Sequence, residues 1–386
     1  MGVRIPVSWL LAALGVAGAA VAFLLRPADA LASASQDYPA FVLVAGLLLI
    51  GLVAGDEGLF SAAGGWLGRI APNGVALFAG AAIMIGLVTA TLNLDTSVAF
   101  LTPVLVYAGR NRAGGEALLY GCLMLSNAGS LLLPGANLTN LIVLGHKELS
   151  GRQFLAVSWL PALGALGVTT VVVGVLERRS LRAPEVAGCS VDEAQERAIR
   201  AGLWPLIALA AIVAGTLLVL VLGAPAIPVL GVGVAVVVVH VVRGRSTTGE
   251  VLEVLGLPLL IGLFGVAVAL GTVGRAWSGP AALLGHLDTE GTAVLAAASA
   301  VVFNNLPAAS LLAARAAHGD FWPILVGLNL GPNLCVTGSL AWLLWLRAAR
   351  RAGATPSLAR ASLIGAVAVP LSMAAALAGL AVTGSR

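Results

Sequence analysis

One carboxylate lies deep inside a stretch of the chain that is otherwise apolar. Asp95 falls between the apolar run that ends at Ala90 and the run that begins at Val98. A charge at membrane depth costs at least about 2.5 kcal/mol, so function is the default explanation for such a residue. Because low dielectric favours the uncharged form of a carboxyl group, Asp95 is a candidate proton-coupling residue. The alternative is that Asp95 only caps a helix starting at Thr96.

A second interrupted apolar segment carries Asn304 and Asn305, which cannot titrate, where the first carries Asp95. Asn305 precedes Leu306-Pro307, a pattern typical of a helix N-cap followed by proline in the first turn. Two helix starts would then face one cavity, where free backbone N–H groups suit the oxygen atoms of a substrate. The alternative for either asparagine is hydrogen bonding between helices.

Neutral polar side chains also interrupt the apolar segments 117–146 and 321–349, together with Pro and Gly, which end helices. Thr139 and Ser339 are part of this polar set. The predicted substrate-binding residues are Asn93, Thr96, Ser126, Asn127, Asn137, Asn140, Asn304, Asn305, Asn329, Asn333 and Thr337. They suit a small hydroxylated or weakly acidic solute, since no Lys or Arg is expected among them to bind a dicarboxylate. The alternative is that part of the set only satisfies freed backbone groups.

The three cysteines have no spacing that predicts a disulfide framework or a zinc site. Cys122 and Cys335 lie in the two interrupted segments and could offer thiolates to a soft metalloid, but packing is the favoured explanation. His240, near one end of an apolar run, is interpreted as interfacial. No cofactor or phosphate-binding loop is indicated, so any use of ATP requires a partner. An intramembrane enzyme would need a base or a second carboxylate beside Asp95, so we predict no enzyme.

Composition excludes a soluble domain. The chain has 386 residues, of which 59% are hydrophobic and 10% are charged, whereas soluble domains carry about 25% charged residues. Apolar runs long enough to cross a bilayer recur along its whole length. The net charge of +4 comes from basic residues in short loops, which indicates membrane orientation and no nucleic-acid partner.

The order of segments predicts an internal repeat. Full crossings are expected at 7–25, 39–55, 117–146, 152–176, 201–222, 225–243, 251–273, 321–349 and 356–382, with helical hairpins at 73–109 and 291–317. A helix, an amphipathic connection, a polar-tipped hairpin, a broken helix and a closing helix follow one another twice. Five crossings separate the two starts, and an odd number places the second copy upside down, as in many secondary transporters.

The predicted fold is therefore an all-α polytopic membrane protein, an inverted repeat with two helical hairpins and two broken transmembrane helices. One transport domain fills residues 1–386. It comprises a first helix and external loop at 7–38, repeat 1 at 39–176, a cytoplasmic linker with two connecting helices at 177–250 and repeat 2 at 251–382. Counting basic residues on each side places the N-terminus in the cytoplasm and the C-terminus outside the cell membrane. The N-terminal apolar run also resembles a signal peptide, but an uncleaved helix is the favoured interpretation.

Three stretches resemble the arsenite permease (ArsB) family of the ion transporter superfamily. They are residues 92–103, residues 126–140 and residues 329–345, and the patterns at 56–60 and 303–307 fit as well. In the last stretch, Leu-Gly-Pro is followed by Thr-Gly-Ser-Leu-Ala and a Trp-rich helix. One departure is that Leu94 separates Asn93 from Asp95, where the family usually has Asn directly before Asp.

This resemblance implies efflux of trivalent arsenic or antimony hydroxides by an elevator-like carrier. Protons or a soluble ATPase subunit would supply the energy, and a homodimer is the implied assembly. The predicted function is proton-coupled efflux of arsenite or antimonite across the plasma membrane. Sodium/proton exchange and organic-anion transport on the same scaffold remain open alternatives, because a scaffold does not fix its substrate.

Overall fold

The computed structural model describes residues 7–109, 113–145, 149–183, 204–317 and 319–383, and all regular elements in these ranges are helical. Seven of the described helices are long and apolar enough to cross a membrane. The prediction of an all-helical polytopic membrane protein is confirmed. The helices of the first half are α1 Val7–Leu25, α2 Pro27–Asp56, α3 Leu59–Ile70, α4 Gly74–Thr91, α5 Leu94–Gly109, α6 Gly115–Gly129, α7 Leu138–Leu144, α8 Gly151–Leu176 and α9 Arg178–Leu181.

The second half repeats this order after two connecting helices. Its helices are α10 Trp204–Val221, α11 Ala226–Val242, α12 Thr248–Leu255, α13 Leu257–Ala276, α14 Gly279–Leu284, α15 Thr289–Phe303, α16 Asn305–Ala313, α17 Phe321–Leu330, α18 Leu340–Arg351 and α19 Leu358–Thr383. Helices α4 and α5 form the first hairpin, and α15 and α16 form the second. Each broken helix contains a short 3₁₀ turn, Pro134–Ala136 in the first and Gly331–Leu334 in the second.

The segment expected as an external loop before residue 39 is helical, and this expectation was wrong. Helix α2 begins at Pro27, one residue after α1 ends, and continues through Pro39 to Asp56. Proline is tolerated in the first helical turn, and the following Ala-rich sequence has high helix propensity. The extension brings Ser33 and Asp37 into the buried interior.

The two broken helices cross in opposite directions. Trp345 Nε1 donates to the carbonyl oxygen of Leu119 at 2.8 Å, and Asn333 Nδ2 donates to that of Met124 at 3.1 Å. Residue numbers thus rise along one broken helix as they fall along the other. This antiparallel crossing is what an inverted repeat requires, while the domain boundaries themselves stay a prediction.

The core between the halves is built from large apolar side chains and small contact residues. Trp342 and Trp345 are fully buried, with ring centroids 5.9 Å apart in an edge-to-face arrangement. Gly365 of α19 lies against the second break, where a Cβ atom would come within 1.9 Å of the Asn333 carbonyl oxygen. Close backbone contact here depends on a residue without a side chain.

His240, near the end of α11, is buried among protein side chains, while its expected place at the membrane interface stays a prediction. Only 1% of it is exposed, and its Nε2 lies 2.8 Å from Oε1 of Glu57. Its Nδ1 lies 2.9 Å from Oγ of Ser246, which donates to Asp56. These hydrogen bonds connect the C-terminus of α2 to α11 and to the loop that follows α11. Most of the predicted linker, residues 184–200, lies outside the described residues.

Candidate functional site

The tip of the first hairpin is capped by Asn93. Its Oδ1 accepts a 2.7 Å hydrogen bond from the backbone N–H of Thr96, and α5 begins at Leu94. The alternative that Asp95 only caps this helix is therefore wrong, because Asn93 holds that position. Asp95 lies in the first turn with a half-buried side chain, free to serve another purpose.

The tip of the second hairpin is capped by Asn304, one residue earlier than the sequence pattern indicated. Its Oδ1 accepts a 3.4 Å hydrogen bond from Leu306 N–H. Asn304 has a φ of 74°, which among the described non-glycine residues is the single positive value. Such a conformation costs about 1–3 kcal/mol and persists only where the surroundings enforce it.

Hydrogen bonds to the second broken helix enforce that conformation. The Asn304 side-chain Nδ2 donates to the carbonyl oxygen of Thr337 at 3.1 Å, and Asn305 N–H donates to that of Gly338 at 2.9 Å. The Thr337 hydroxyl donates in turn to the Val301 carbonyl oxygen at 2.7 Å. Thr337 thus links the second tip to its own break, and it does not line the cavity between the tips.

The asparagines of the two breaks bind one another. Asn127 Nδ2 donates to Asn333 Oδ1 at 2.9 Å. Asn329 lies at the centre of a second group, since its Nδ2 donates to Asn140 Oδ1 at 2.7 Å and its Oδ1 accepts from Asn137 Nδ2 at 2.8 Å. At most 1% of Asn127, Asn140, Asn329 or Asn333 is exposed. These four join the halves of the molecule and do not line the cavity between the hairpin tips.

A cavity of about 240 Å³ lies where the hairpin tips meet the two breaks. The polar side chains that line it near the tips are those of Asp95, Asn137, Thr139, Asn304, Asn305 and Ser339. Four of the predicted site residues therefore come together, namely Asp95, Asn137, Asn304 and Asn305. Ser126 lies elsewhere, with its Oγ 3.2 Å from Oγ of Ser97.

Two buried hydroxyls of the cavity wall have no hydrogen-bond partner among the described residues. They are Thr139 Oγ1, in the first turn of α7, and Ser339 Oγ, at the start of α18. Asn93 Nδ2 and Thr96 Oγ1, beside the first tip, are also unpaired. A buried polar group without a partner costs about 1–3 kcal/mol, so a ligand that binds it recovers that free energy. The sequence analysis included Thr139 and Ser339 in the polar set of the interrupted segments. Nothing in their sequence context distinguished them from the polar residues that pair with one another.

The electrostatic field in the cavity comes from one carboxylate and from several helix N-termini. Helices α5, α16 and α18 each begin at the cavity wall. Their helix dipoles favour negative charge and oxygen ligands, and only Asp95 supplies a carboxylate near the tips. A solute with hydroxyl or oxyanion groups fits this arrangement better than a cation.

The cavity extends along α18 to an arginine that the sequence interpretation had missed. Arg347 and Glu253 both line its outer part, and both side chains are exposed. The expectation that no Lys or Arg accompanies the binding residues is therefore wrong for this outer part. Arg347 lies about two helical turns after Ser339, so both residues are on one face of α18. This spacing is the feature of the sequence that could have placed Arg347 at the cavity.

Asp95 is not the only acidic residue buried within an apolar helix. Asp37 in α2 is 2% exposed, and its Oδ2 accepts a 3.4 Å hydrogen bond from the hydroxyl of Ser310. The sequence interpretation placed Asp37 in a loop and so missed it. Its position within a continuous helix became visible only when α2 proved to start at Pro27.

Cys122 and Cys335 lie outside the cavity. Cys122 is buried with its Sγ 3.4 Å from Oγ1 of Thr102, and Cys335 Sγ lies 2.9 Å from Oγ1 of Thr337. Cys189 is outside the described residues. No group of three His, Cys, Asp or Glu side chains within the described ranges is placed to hold a metal ion.

A cavity between two hairpin tips and two broken helices, within a bundle of long apolar helices, is the arrangement of a membrane transporter rather than an enzyme. The family model for the citrate transporter (CitMHS) matches residues 3–331, and the chain belongs to this family. The resemblance to the arsenite permease family of the same superfamily is also confirmed.

Curated relatives carry the name arsenical pump membrane protein. The one from Escherichia coli K12 is 25% identical over 367 residues, covering 87% of this chain and 84% of the relative. The one from Yersinia enterocolitica is 26% identical over 333 residues, covering 78% and 76%. Among solved structures, the YdaH transporter of Alcanivorax borkumensis, described as having an unusual topology, matches with a TM-score of 0.54. It is 16% identical and covers 97% of both chains, so it supports the fold alone.

Proposed function

We propose that this protein exports arsenite or antimonite across the cell membrane in exchange for protons, with Asp95 as the coupling carboxylate. The observation that carries this proposal is the meeting of Asp95 with the unpaired hydroxyls of Thr139 and Ser339 in one cavity. Arsenite is a small trihydroxide that is neutral at physiological pH. Its hydroxyl groups match donors and acceptors that have no partner in the protein. The names of the relatives support the same substrate.

The side on which the cavity opens supports the proposed direction of transport. Arg347, at its outer part, belongs to the set of basic residues that the charge count places in the cytoplasm. A cavity open to the cytoplasm can load a solute for export. The proposed cycle moves the two hairpins and broken helices as an elevator within an inverted repeat. A homodimer and a soluble ATPase subunit are the proposed partners.

Organic-anion transport is the second candidate, and a specific observation favours it. Arg347 lines the cavity, the N-termini of three helices face it, and the matched family model is that of a citrate transporter. Glu253 lies at the same outer part, with its Oε1 3.6 Å from Nη2 of Arg351, and its negative charge weakens attraction of a multivalent anion. Sodium/proton exchange has less support, because helix N-termini disfavour a bound cation.

The test is arsenite accumulation in everted membrane vesicles under an imposed proton gradient. We expect the unchanged protein to accumulate arsenite and Asp95→Asn to lose the dependence on the gradient. Asp29→Asn, in the first turn of α2, is the control for removing a carboxylate elsewhere. Absence of arsenite flux from correctly folded protein would overturn metalloid export. Citrate uptake that Arg347→Gln abolishes would then establish the organic-anion alternative.

A further inference from the structure

A second buried carboxyl group lies on the opposite side of the cavity from Arg347. The length of α13 gives the distance between Arg347 and this region. The N-terminal residues of α13 line the outer cavity beside Arg347, and Arg275 lies in its last turn. Its 20 residues span about 30 Å. The Arg275 side chain donates to Gln36 and, from Nε at 3.1 Å, to Ser33. Gln36 directly precedes Asp37 on α2, and Ser33 lies about one helical turn before it.

The second hairpin connects this region to the cavity. Asn304 and Asn305 at its tip line the cavity, and Ser310 lies about 9 Å further along α16 at the helical rise per residue. Ser310 donates to Asp37 at 3.4 Å. Further along the chain, Arg315 donates to the carbonyl oxygen of Arg275. Asp37 is therefore situated between the inner end of the cavity and the far surface.

Helix α2 makes the same connection. Val44 and Leu48 line the cavity, and Val44 follows Asp37 by seven residues. Seven residues are two helical turns, so Asp37 and Val44 lie on one face of α2 about 10 Å apart. Gln36 Nε2 also donates to the Ile142 carbonyl oxygen of α7 at 3.0 Å. Asp37 on α2 thus contacts α16 through Ser310, and its neighbour Gln36 contacts α7. All three helices border the cavity.

The surroundings of Asp37 suit a proton better than a metal cation. Among the described residues the charged group that acts on it is Arg275 of α13, while α16 presents the neutral Ser310 and α7 presents a backbone carbonyl to Gln36. No ion pair to Asp37 within 4.0 Å occurs in the described ranges, and the hydrogen bond from Ser310 is long. A guanidinium nearby repels sodium. Within the described ranges Asp37 belongs to no group of three or more His, Cys, Asp or Glu side chains that could hold a metal ion.

We propose that Asp37 is a second proton-binding site, which exchanges its proton with the surface opposite Arg347 and so takes up the counter-proton of the transport cycle. The proton comes from hydronium in the solution at that surface and returns to water on release, with no other bond made or broken. This inference rests on the proposed proton-coupled export. It assigns the two carboxyl groups to different sides, Asp95 to the cavity and Asp37 to the far side.

The first measurement is infrared difference spectroscopy of the purified protein in lipid during a pH titration, which needs no substrate. We expect a protonated-carboxyl band that Asp37→Asn removes and that Asp29→Asn leaves in place. Ser310→Ala should retain this band but shift its frequency, because the hydrogen bond from the hydroxyl is lost. An unchanged spectrum in Asp37→Asn would overturn the proposal, as would a band that responds to sodium at constant pH.

The second measurement uses oriented proteoliposomes. Asp37→Asn should lose arsenite transport driven by a proton gradient but retain exchange of labelled for unlabelled arsenite, which requires no net proton movement. Retained gradient-driven transport in Asp37→Asn would overturn the coupling role. Absence of arsenite flux in the unchanged protein, with the carboxyl band intact, would instead count against the proposed substrate and leave the proton site standing.

Discussion

Asn127 and Asn333 share a 2.9 Å hydrogen bond although 206 residues separate them in the sequence. Each is at most 1% exposed, and each also donates to a backbone carbonyl, Asn127 to Leu123 and Asn333 to Met124. Because one asparagine stands in each broken helix, the pair joins the two halves of the molecule at its centre. The cavity lies beside a junction that is rigidly bonded.

This pair gives a first prediction, for stability. Asn127→Ala and Asn333→Ala should each lower the free energy of unfolding by about 1–3 kcal/mol, since each leaves a buried partner unsatisfied. The double variant should lose less than the sum, with a coupling energy of about 0.5–3 kcal/mol. Denaturant unfolding in detergent measures these quantities. Asn73→Ala, which removes the cap of α4 at Ala76, should combine additively with Asn333→Ala, and additivity of the Asn127/Asn333 pair would contradict the junction.

A second prediction compares two helical glycines. A Cβ atom on Gly365 would lie 1.9 Å from the Asn333 carbonyl oxygen, whereas one on Gly167 would meet nothing within 4 Å. Alanine is favoured over glycine in a helix by about 0.5–1 kcal/mol. Gly167→Ala should therefore raise the unfolding temperature slightly, and Gly365→Ala should lower it sharply because the clash exceeds the gain in propensity. Equal stability of the two variants in a thermal unfolding assay would show that the second break can move away from α19.

A third prediction separates binding from stability with two threonines. The hydroxyls of Thr139 and Thr169 are both buried and unpaired, but only Thr139 lines the cavity. Replacement by valine should leave both variants as stable as the unchanged protein or more so, since no hydrogen bond is lost. Thr139→Val should raise the KM for arsenite, and Thr169→Val should not. The measurement is concentration-dependent uptake into vesicles, and an equal effect of both variants would remove Thr139 from the binding site.

A fourth prediction concerns pH and the ionic cluster beside the start of α6. Arg360 Nε donates to Glu177 Oε1 at 2.8 Å. Burial, and secondly the negative charge of Glu177, raise the pKa of Glu116, which precedes the apolar stretch 117–146. The folded protein therefore keeps a proton on Glu116 to higher pH than the unfolded chain does. It binds more protons, so stability is lost as pH rises through the raised pKa.

Thermal unfolding across a pH series measures this dependence. Glu116→Gln should flatten the decline in unfolding temperature with rising pH, because the amide cannot titrate. Glu290→Gln, at an exposed position of α15, is the control for removing a carboxylate. A decline that persists unchanged in Glu116→Gln would assign the pH dependence to another group. A steeper decline would mean that the Glu177 charge depends on Glu116 for its stabilisation.

Much of the fold is encoded locally and was predictable. Apolar runs specify membrane helices because each must satisfy its own backbone inside the bilayer. Asn93 with Asp95, and Asn304 with Pro307, specify hairpin tips by interrupting such runs, and the structure confirms both hairpins. Asn304 caps α16 in place of the predicted Asn305, and Asn93 caps α5 in place of Asp95, whose capping role was the alternative interpretation. Asn and Asp are similarly favoured at the N-cap position, so the sequence alone does not show which of two neighbouring residues caps the helix.

The sequence by itself determined the class of protein, the order of its elements and the polar set from which the site is made. The tertiary structure decided which members of that set are open to a solute. Asn329 and Asn140, nearly 200 residues apart, satisfy each other, whereas Thr139 stays unpaired beside Asp95. Hydropathy and helix signals act over a few turns of chain, but pairing depends on contacts between the two halves. For the same reason the burial of Asp37 against Ser310 appeared only in three dimensions.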